Sequence, residues 1–485
     1  MTPQKTPDSP NRNEYDVIVI GAGPVGENIA DYVRRGGLRP VIIEAELVGG
    51  ECSYWACMPS KALLRGITAR SAALRVAGAA QSVTGPLDIA ALLGRRDGFT
   101  SRGDDAGQVS WLEGAGIDLI RGRGRLSGVR EVTVTAADGS RTVLTARRAV
   151  AVATGSVPVI PEIPGLAEAR PWTNREALSL TSVPESVIIL GGGVVATELA
   201  TIYRGLGSAV TVIARSGILA AQPEFAREAV VEALTESGVR IIRDSPTRVE
   251  RTGGKVSVLV AGETHTATEI IVATGRRPAT ADLGLERLGL RPGDPIYVDD
   301  EMLAEDCNEE WFYAAGDVNG RAPLTHQGKY QARVAAASIL ARAAGTLPVP
   351  NPAFSDTAAT ADHVAIPAVI FSDPEIAHVG LTAEEAGDRG LSVREVDFDL
   401  GAVAGAALIA DGYRGHARIT VDEDREVILG AHLVGQDVAE LLHAFTIAVV
   451  GEVPLDRLWH AVPAYPTMSE IWLRLIDTYR EDTTA

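Results

Sequence analysis

Cysteine is nearly absent from this chain, with three in 485 residues. That is too few for the disulfide framework of a small secreted protein. The polar opening MTPQKTPDSPNRNEY offers no apolar stretch that could serve as a signal peptide. No apolar run reaches the roughly 18 residues that span a bilayer. These absences predict a protein of the reducing cytoplasm with no membrane partner. Positive charge is also short, the formal net charge being -18. Without a basic field to attract phosphates, nucleic acid and anionic membranes are excluded as partners. The one basic run, RGRGR from Arg121 to Arg125, reads as solvated loop charge. Lysine occurs only at Lys5, Lys61, Lys255 and Lys329.

What is present is an ordinary globular composition, 46% hydrophobic with 50 glycines, and a length that suggests about three domains. The run YDVIVIGAGPVGENIADYVRRGGLRPVIIEAE begins as a buried strand, Val17 to Ile20, and turns at Gly21-x-Gly23-x-x-Gly26. A helix and a second strand, Val41 to Ile43, lead on to Glu44. Glycines let the backbone approach a pyrophosphate at a helix N-terminus, and an acid about 20 residues on can accept hydrogen bonds from ribose hydroxyls. Strand, glycine loop, helix and acid in this order predict a dinucleotide site.

The plan repeats at SVIILGGGVVATELATIYRGLGSAVTVIAR, with Gly191, Gly193 and Ala196 at the three small positions. Here the second strand ends in Ala214-Arg215 with no acid. An acid would repel a 2′-phosphate and an arginine pairs with it, so this site is expected to take NADPH. Two similar strand ends, AVAVATGSVPVIP (Ala149 to Pro161) and EIIVATGRRPAT (Glu269 to Thr280), bracket the second unit and read as crossings between domains. After the Pro-rich AAGTLPVPNPAF the chain changes to three strand patterns, HVAIPAVIF, HARITVD and VILGAHLV, alternating with two helical runs. The expected fold class is α/β, with two Rossmann-like nucleotide-binding domains, the second inserted in the first, and a C-terminal α+β domain. The boundaries read as a tail over 1–13, a first nucleotide domain over 14–156 and 273–347, the inserted one over 157–272, and the last domain over 348–485.

Two of the three cysteines, Cys52 and Cys57, stand together in GGECSYWACMPSKALLR at the start of a helical pattern. In a regular helix, residues five apart have Cα atoms roughly 8 to 9 Å apart, beyond the usual reach of a disulfide. Pairing therefore requires a distorted first turn, which Gly49, Gly50 and Pro59 permit. A helix N-terminus also raises the thiolate population. A zinc site is the competing use, but no second cysteine pair lies at ligand spacing, and no metal site is expected.

Taken together, GGECSYWACMPSK, both ATG motifs, YAAGDV, FSDPEIAHVGLT and YPTMSE resemble the class I pyridine nucleotide-disulfide oxidoreductase family, which includes dihydrolipoamide dehydrogenase, glutathione reductase and mercuric reductase. The resemblance runs from about Tyr15 to the C-terminus. It implies FAD in the first nucleotide fold, NAD(P)H in the inserted one, and a homodimer formed through the C-terminal domain. It also implies that Cys57 is the charge-transfer thiol beside the flavin, and Cys52 the interchange thiol that attacks substrate. Lys61 would sit by the flavin, paired with Glu198. Asp317 would bind the ribityl chain, and the helix after Leu324 would point its positive end at the flavin. Gly50, Thr154, Gly155, Gly275 and Thr325, in the matching motifs, are expected to line the cofactors.

The chain departs from the pattern of the family it resembles at one catalytic position. Family disulfide reductases carry a His-Pro-Thr motif whose histidine acts as acid and base with a glutamate five residues on; here the motif is Tyr465-Pro466-Thr467, with Glu470 in place. A phenol ionises near pH 10 and is a poor base at neutrality, where histidine is a good one. His460, nearby, reads as structural. Mercuric reductases also have a tyrosine here, but they need a C-terminal cysteine pair, and none follows Cys307; Cys307 reads as a structural thiol. Two functions follow. One is an NADPH-dependent enzyme passing electrons through FAD and the Cys52–Cys57 pair to a small-molecule disulfide. The other is a flavin-centred NADPH reductase of quinones or metal ions, with the disulfide auxiliary.

Overall fold

The computed structural model describes residues 13–307 and 310–484, so the tail expected at 1–13 lies outside the described residues except for Asn13. Contacts divide the chain into two compact units. The first comprises the chain up to Tyr54, Thr100–Val157 and Arg276–Asp362, and the second comprises Trp55–Phe99, Pro158–Gly275 and His363–Ala485.

In the first unit the strand Glu14–Ile20 carries Val17, Ile18, Val19 and Ile20, none more than 3% exposed. An unbroken apolar strand needs cover on both faces, the condition of a parallel sheet. It lies between two parallel neighbours, Pro40–Glu44 and the long strand Arg141–Val152. Asp118–Arg121 continues the sheet beyond Pro40–Glu44. The long strand changes role along its length. Its first half pairs antiparallel with Glu131–Thr135, and its last three residues pair parallel with Phe312–Ala314. The helices Pro24–Arg35 and Thr325–Ala344 pack on this sheet through Ile29, Ala30, Val33, Ala332, Ala335 and Ile339, all in one apolar core. Cys307 is buried in the same core.

The second unit holds a four-stranded parallel sheet, in the order Arg240–Ile242, Ala209–Ile213, Ser186–Leu190 and Glu269–Val272. An antiparallel three-stranded sheet spans Pro246–Ala267. Its C-terminal part is a five-stranded antiparallel sheet, where the sequence pattern showed only three strands; Glu375–Gly380 and Val393–Asp399 are the additions. Beside it, Phe445 and Trp472 stack at 3.9 Å between ring centroids. Among the described residues no helix is long and apolar enough to cross a membrane.

The basic run at Arg121–Arg125 is not solvated loop charge, as the sequence suggested. Arg121 ends one strand and Arg123 opens another. Arg121 donates to Asp105 at 2.6 Å, and Arg125 is paired with Asp282 and Glu286. The acids come from distant positions in the chain, which is why a local reading missed them.

On the five-stranded sheet His378 and His432 are direct cross-strand partners, stacked with centroids 5.1 Å apart and planes 4° from parallel. Burial holds both rings below the usual imidazole range. His432 is pushed down to about 4, first by burial, then by His378, with Arg418 adding to the effect and Glu385 opposing it. The unfolded chain therefore binds protons at these positions that the folded chain refuses, and stability falls as pH drops from about 6.5 toward 4. In urea titrations at pH 7 and 4.5, His432→Phe should lose about 2–3 kcal/mol less than the wild type on acidification. Equal losses would show that the pair does not set acid sensitivity.

Candidate functional site

The first glycine loop joins the strand Glu14–Ile20 to the helix Pro24–Arg35. At Gly26 an added Cβ would lie 1.9 Å from the Gly21 carbonyl oxygen, so only glycine lets the helix close on the strand. At Gly23 an added Cβ would meet nothing within 4 Å, leaving open space above the helix N-terminus. Glu44 spans the loop: its Oε2 accepts from the Ala22 N–H and its Oε1 from the Glu46 N–H, both at 2.7 Å. Each oxygen keeps a lone pair for a ribose hydroxyl. Open space, backbone donors and a fixed carboxylate fit the ADP half of a dinucleotide.

The second loop repeats this arrangement. Gly193 faces open space, Ala196 is fully buried, and Gly191 precedes them at the end of the strand Ser186–Leu190. Arg215, just past the strand Ala209–Ile213, is exposed, and among the described residues it makes no ion pair.

A polar chain that sequence reading missed runs through the first unit. Ser156 Oγ donates to Asp317 Oδ2 at 2.6 Å. Arg276 donates from Nε to Ser156 Oγ at 2.8 Å and from Nη2 to the Ser156 carbonyl at 2.7 Å. The same guanidinium lies 3.5 Å from Glu51. The ATG motifs place these groups. Ser156–Pro158 and Arg276–Pro278 pair as a two-stranded ribbon, Thr154 Oγ1 donates to the Ala279 carbonyl at 3.0 Å, and the Ala279 N–H donates to Gly155 at 2.9 Å. Gly275 ends the preceding stretch, its carbonyl accepting from the Val159 N–H at 3.0 Å. Arg276 stands inside a quoted motif, and Glu51 directly precedes Cys52, so adjacency was the available signal. Thr325 opens the helix Thr325–Ala344 directly after Leu324.

The distortion that the cysteine spacing demands is a break between two helices, Gly50–Tyr54 and Cys57–Leu74. Cys52 lies in the first and Cys57 opens the second; both are half-buried. At the break Ala56 has φ -137° and ψ -92°, outside the helical range. The Asn174 amide donates to the Trp55 carbonyl at 2.7 Å, and the Arg175 guanidinium lies over the Trp55 ring, 4.2 Å from its centroid. Both residues belong to the helix Asn174–Leu178, which starts at a capping box of Thr173 and Glu176. Sequence reading missed this helix; the Thr173-x-x-Glu176 spacing is the signal that could have found it, whereas the contacts of Asn174 and Arg175 with Trp55 leave no local signal.

Lys61 lies four residues beyond Cys57, on the same face of the helix. Its Nζ is 2.6 Å from Glu198 Oε2, in the helix Val194–Gly205. Glu198 is 6% exposed, and its Oε1 accepts from the Phe371 N–H at 3.1 Å. The Lys61 ammonium also lies 4.8 Å from the Phe371 ring centroid.

Near the C-terminus Tyr465 is 77% exposed, and Glu470 is buried. Glu470 Oε2 has no hydrogen-bond partner; its Oε1 is 3.7 Å from Arg474. His460 is exposed, its backbone N–H bonded to Arg457 at 3.0 Å. Among the described residues no group of three or more His, Cys, Asp or Glu could hold a metal ion.

Two glycine loops shaped for dinucleotides and a cysteine pair on a broken helix define a flavin- and pyridine nucleotide-dependent redox protein. The chain belongs to the pyridine nucleotide-disulphide oxidoreductase family: residues 15–337 match that family and residues 366–476 its dimerisation domain. It is 30% identical to a mercuric reductase of Staphylococcus aureus over 94% of this chain and 81% of that one. It is 31% identical to a dihydrolipoyl dehydrogenase of Chlamydia pneumoniae over 95% of both. Among solved structures, LpdA from Mycobacterium tuberculosis superposes with a TM-score of 0.81 at 26% identity, over 95% of this chain and 99% of that one. The Cu(II) complex of RclA from Escherichia coli, an HOCl-induced flavoprotein disulfide reductase, shares the fold with a TM-score of 0.82 at 23% identity, over 96% and 99%. The protein is an oxidoreductase of the flavoprotein disulfide reductase type, carrying electrons from NAD(P)H through FAD and a redox disulfide.

Removing one partner of the Lys61–Glu198 pair strands a buried carboxylate. Lys61→Met should therefore destabilise the protein by about 1–3 kcal/mol in urea unfolding, and the double variant Lys61→Met, Glu198→Gln should recover part of that loss. Additive losses would mean that the two groups act independently.

Proposed function

We propose that this enzyme takes electrons from NADPH and delivers them through the Cys52–Cys57 pair to a small-molecule disulfide. The observation that carries the reading is the redox helix itself: Cys57 and Lys61 share one face of Cys57–Leu74, and Lys61 is fixed by a buried acid. Bound FAD supplies a two-electron relay between a hydride donor and a disulfide. The open loop at Gly21, Gly23 and Gly26, with Glu44, holds its ADP half; Asp317 and the start of the helix at Thr325 hold the remainder, with Gly50, Thr154, Gly155 and Gly275 lining it. Gly191, Gly193 and Arg215 hold NADPH.

With both cysteines reduced, the Cys52 thiolate attacks one sulfur of the substrate, forming a mixed disulfide and expelling one thiolate. Cys57 then attacks Cys52, closing the protein disulfide and releasing the second half of the substrate. Two electrons leave the protein, and two protons accompany the product thiols. Tyr465 acts as a hydrogen-bond donor, with Glu470 behind it. The matched dimerisation domain supports a homodimer, and the scarcity of cysteine supports a cytoplasmic setting.

A second reading is favoured by Tyr465, which occupies the position where family disulfide reductases place a histidine. In it the acceptor is a quinone or a metal ion and the disulfide is auxiliary. Turnover of small disulfides, quinones and Hg(II) by wild type and Cys52→Ser separates the two. Loss of disulfide turnover alone is expected if Cys52 is the interchange thiol, and retention of every activity would defeat the first reading. A positioned general base contributes about 10² to 10⁴-fold, so Tyr465→His should raise disulfide turnover and Tyr465→Phe should not. Rapid, pH-insensitive disulfide reduction by Tyr465→Phe would show that this position does not limit proton transfer.

Coenzyme choice gives an independent check. A hydrogen bond to a charged group contributes roughly 1.5–3 kcal/mol. Arg215→Ala should thus erode the NADPH-to-NADH ratio of kcat/KM by about ten- to a hundredfold. An unchanged ratio would move recognition of the phosphate elsewhere.

A further inference from the structure

Glu51 is an unexpected neighbour for a nucleophilic cysteine. It directly precedes Cys52 in the helix Gly50–Tyr54. A nearby carboxylate raises the free energy of a thiolate and so holds the thiol proton more tightly. Its helix begins against the first glycine loop, where a Cβ added at Gly50 would lie 2.7 Å from Gly23 Cα. Left alone, a negative charge on the residue before Cys52 would oppose a thiolate.

The charge is not left alone, because Arg276 lies 3.5 Å from it. Arg276 is itself fixed by two bonds to Ser156, whose hydroxyl is committed to Asp317. Side-chain exposures of 27% for Arg276 and 24% for Glu51 leave the pair only partly screened by water. One guanidinium thus connects the residue before Cys52 with the carboxylate proposed to hold the flavin's ribityl chain.

We infer that Arg276 and Glu51 are positioning residues for Cys52, and that through Ser156 and Asp317 they link retention of the flavin to the reactivity of that thiol. The inference rests on the proposed roles of Cys52 and Asp317. In this arrangement Arg276 neutralises Glu51, holds the short helix against the Ser156–Asp317 pair, and keeps Cys52 reactive near neutral pH. Loss of the guanidinium removes the cation that faces Glu51 and takes from Ser156 its outer partner.

The test uses flavin-loaded enzyme with both cysteines reduced, and follows alkylation of Cys52 by iodoacetamide from pH 5 to 10, mapped by mass spectrometry with Cys57 as internal reference. Flavin release is followed separately by its fluorescence. Arg276→Gln should move the Cys52 midpoint up by about one unit and speed flavin release by about tenfold. Glu51→Gln should move the midpoint down by a similar amount. Arg276→Lys keeps the charge and should restore the midpoint, yet release flavin quickly because a single ammonium cannot replace the two-pronged grip on Ser156. Ser156→Ala gives the release arm a variant that leaves Arg276 and Glu51 in place. It too should release flavin faster, and wild-type retention would overturn the link to the flavin. An unchanged Cys52 profile in both Glu51→Gln and Arg276→Gln would overturn the link to the thiol. A wild-type Cys52 that never reacts would instead sink the disulfide reductase reading, and flavin release would still judge the linkage.

Discussion

A buried acid needs a cation or a set of donors, and Glu198 has one of each. Its two oxygens face the Lys61 ammonium at 2.6 Å and the Phe371 N–H at 3.1 Å. Three remote stretches of chain therefore meet at one carboxylate: the cysteine helix, the second glycine-loop helix and the entry to the C-terminal sheet. Burying such a group without partners would cost several kcal/mol. The arrangement is stable only when all three stretches are in place, so a single acid enforces the register of the redox helix within its unit. Apolar packing of Leu63, Leu64 and Ile67 with Leu199, Ile202 and Tyr203 supplies the bulk of the attraction, and the ion pair fixes the alignment.

The two glycine loops show how one backbone solution serves two cofactors. In each, the middle glycine looks into open space and the third position is tightly packed, admitting only glycine at Gly26 and holding a fully buried alanine at Ala196. The difference lies in the residue at the end of the second strand. Glu44 is held by two backbone donors before any ligand arrives, whereas Arg215 is exposed. A carboxylate held in advance presents its acceptors in a fixed geometry, whereas an exposed guanidinium is left open to solvent.

Much of this was legible because it is local. The glycine loops, the strand runs Val17–Ile20 and Val41–Ile43, the helix after Leu324 and the need for a broken turn between Cys52 and Cys57 all follow from short-range spacing. What was illegible depends on residues far apart in sequence. The pairing of Arg125 with Asp282 and Glu286 spans more than 150 positions, and no local pattern distinguishes it from solvated charge. The Glu51–Arg276–Ser156–Asp317 chain is of the same kind. Two strands of the C-terminal sheet, Glu375–Gly380 and Val393–Asp399, were not read from the sequence; their pairing with the strands Val427–Gly435 and His416–Asp422 is a long-range feature that local spacing does not record.

The hydrogen bond from Asn174 to the Trp55 carbonyl carries a consequence for the cysteine motif. In an uninterrupted helix each residue turns about 100° around the axis, so side chains five apart diverge by about 140° and look toward nearly opposite sides. The interruption at Trp55–Ala56 releases Cys52 and Cys57 from that divergence. A continuous helix over 50–74 would regain backbone hydrogen bonds, so the straight form is a real competitor that must be held off. Pro59 holds it off, because a helix continuing through Trp55 would need an N–H that proline lacks and would crowd the Trp55 carbonyl against its ring, and Asn174 supplies the donor that this carbonyl would otherwise miss. Pro59, in the first turn of the second helix, thus leaves the Trp55 oxygen open for an outside donor, and the break is held from both sides.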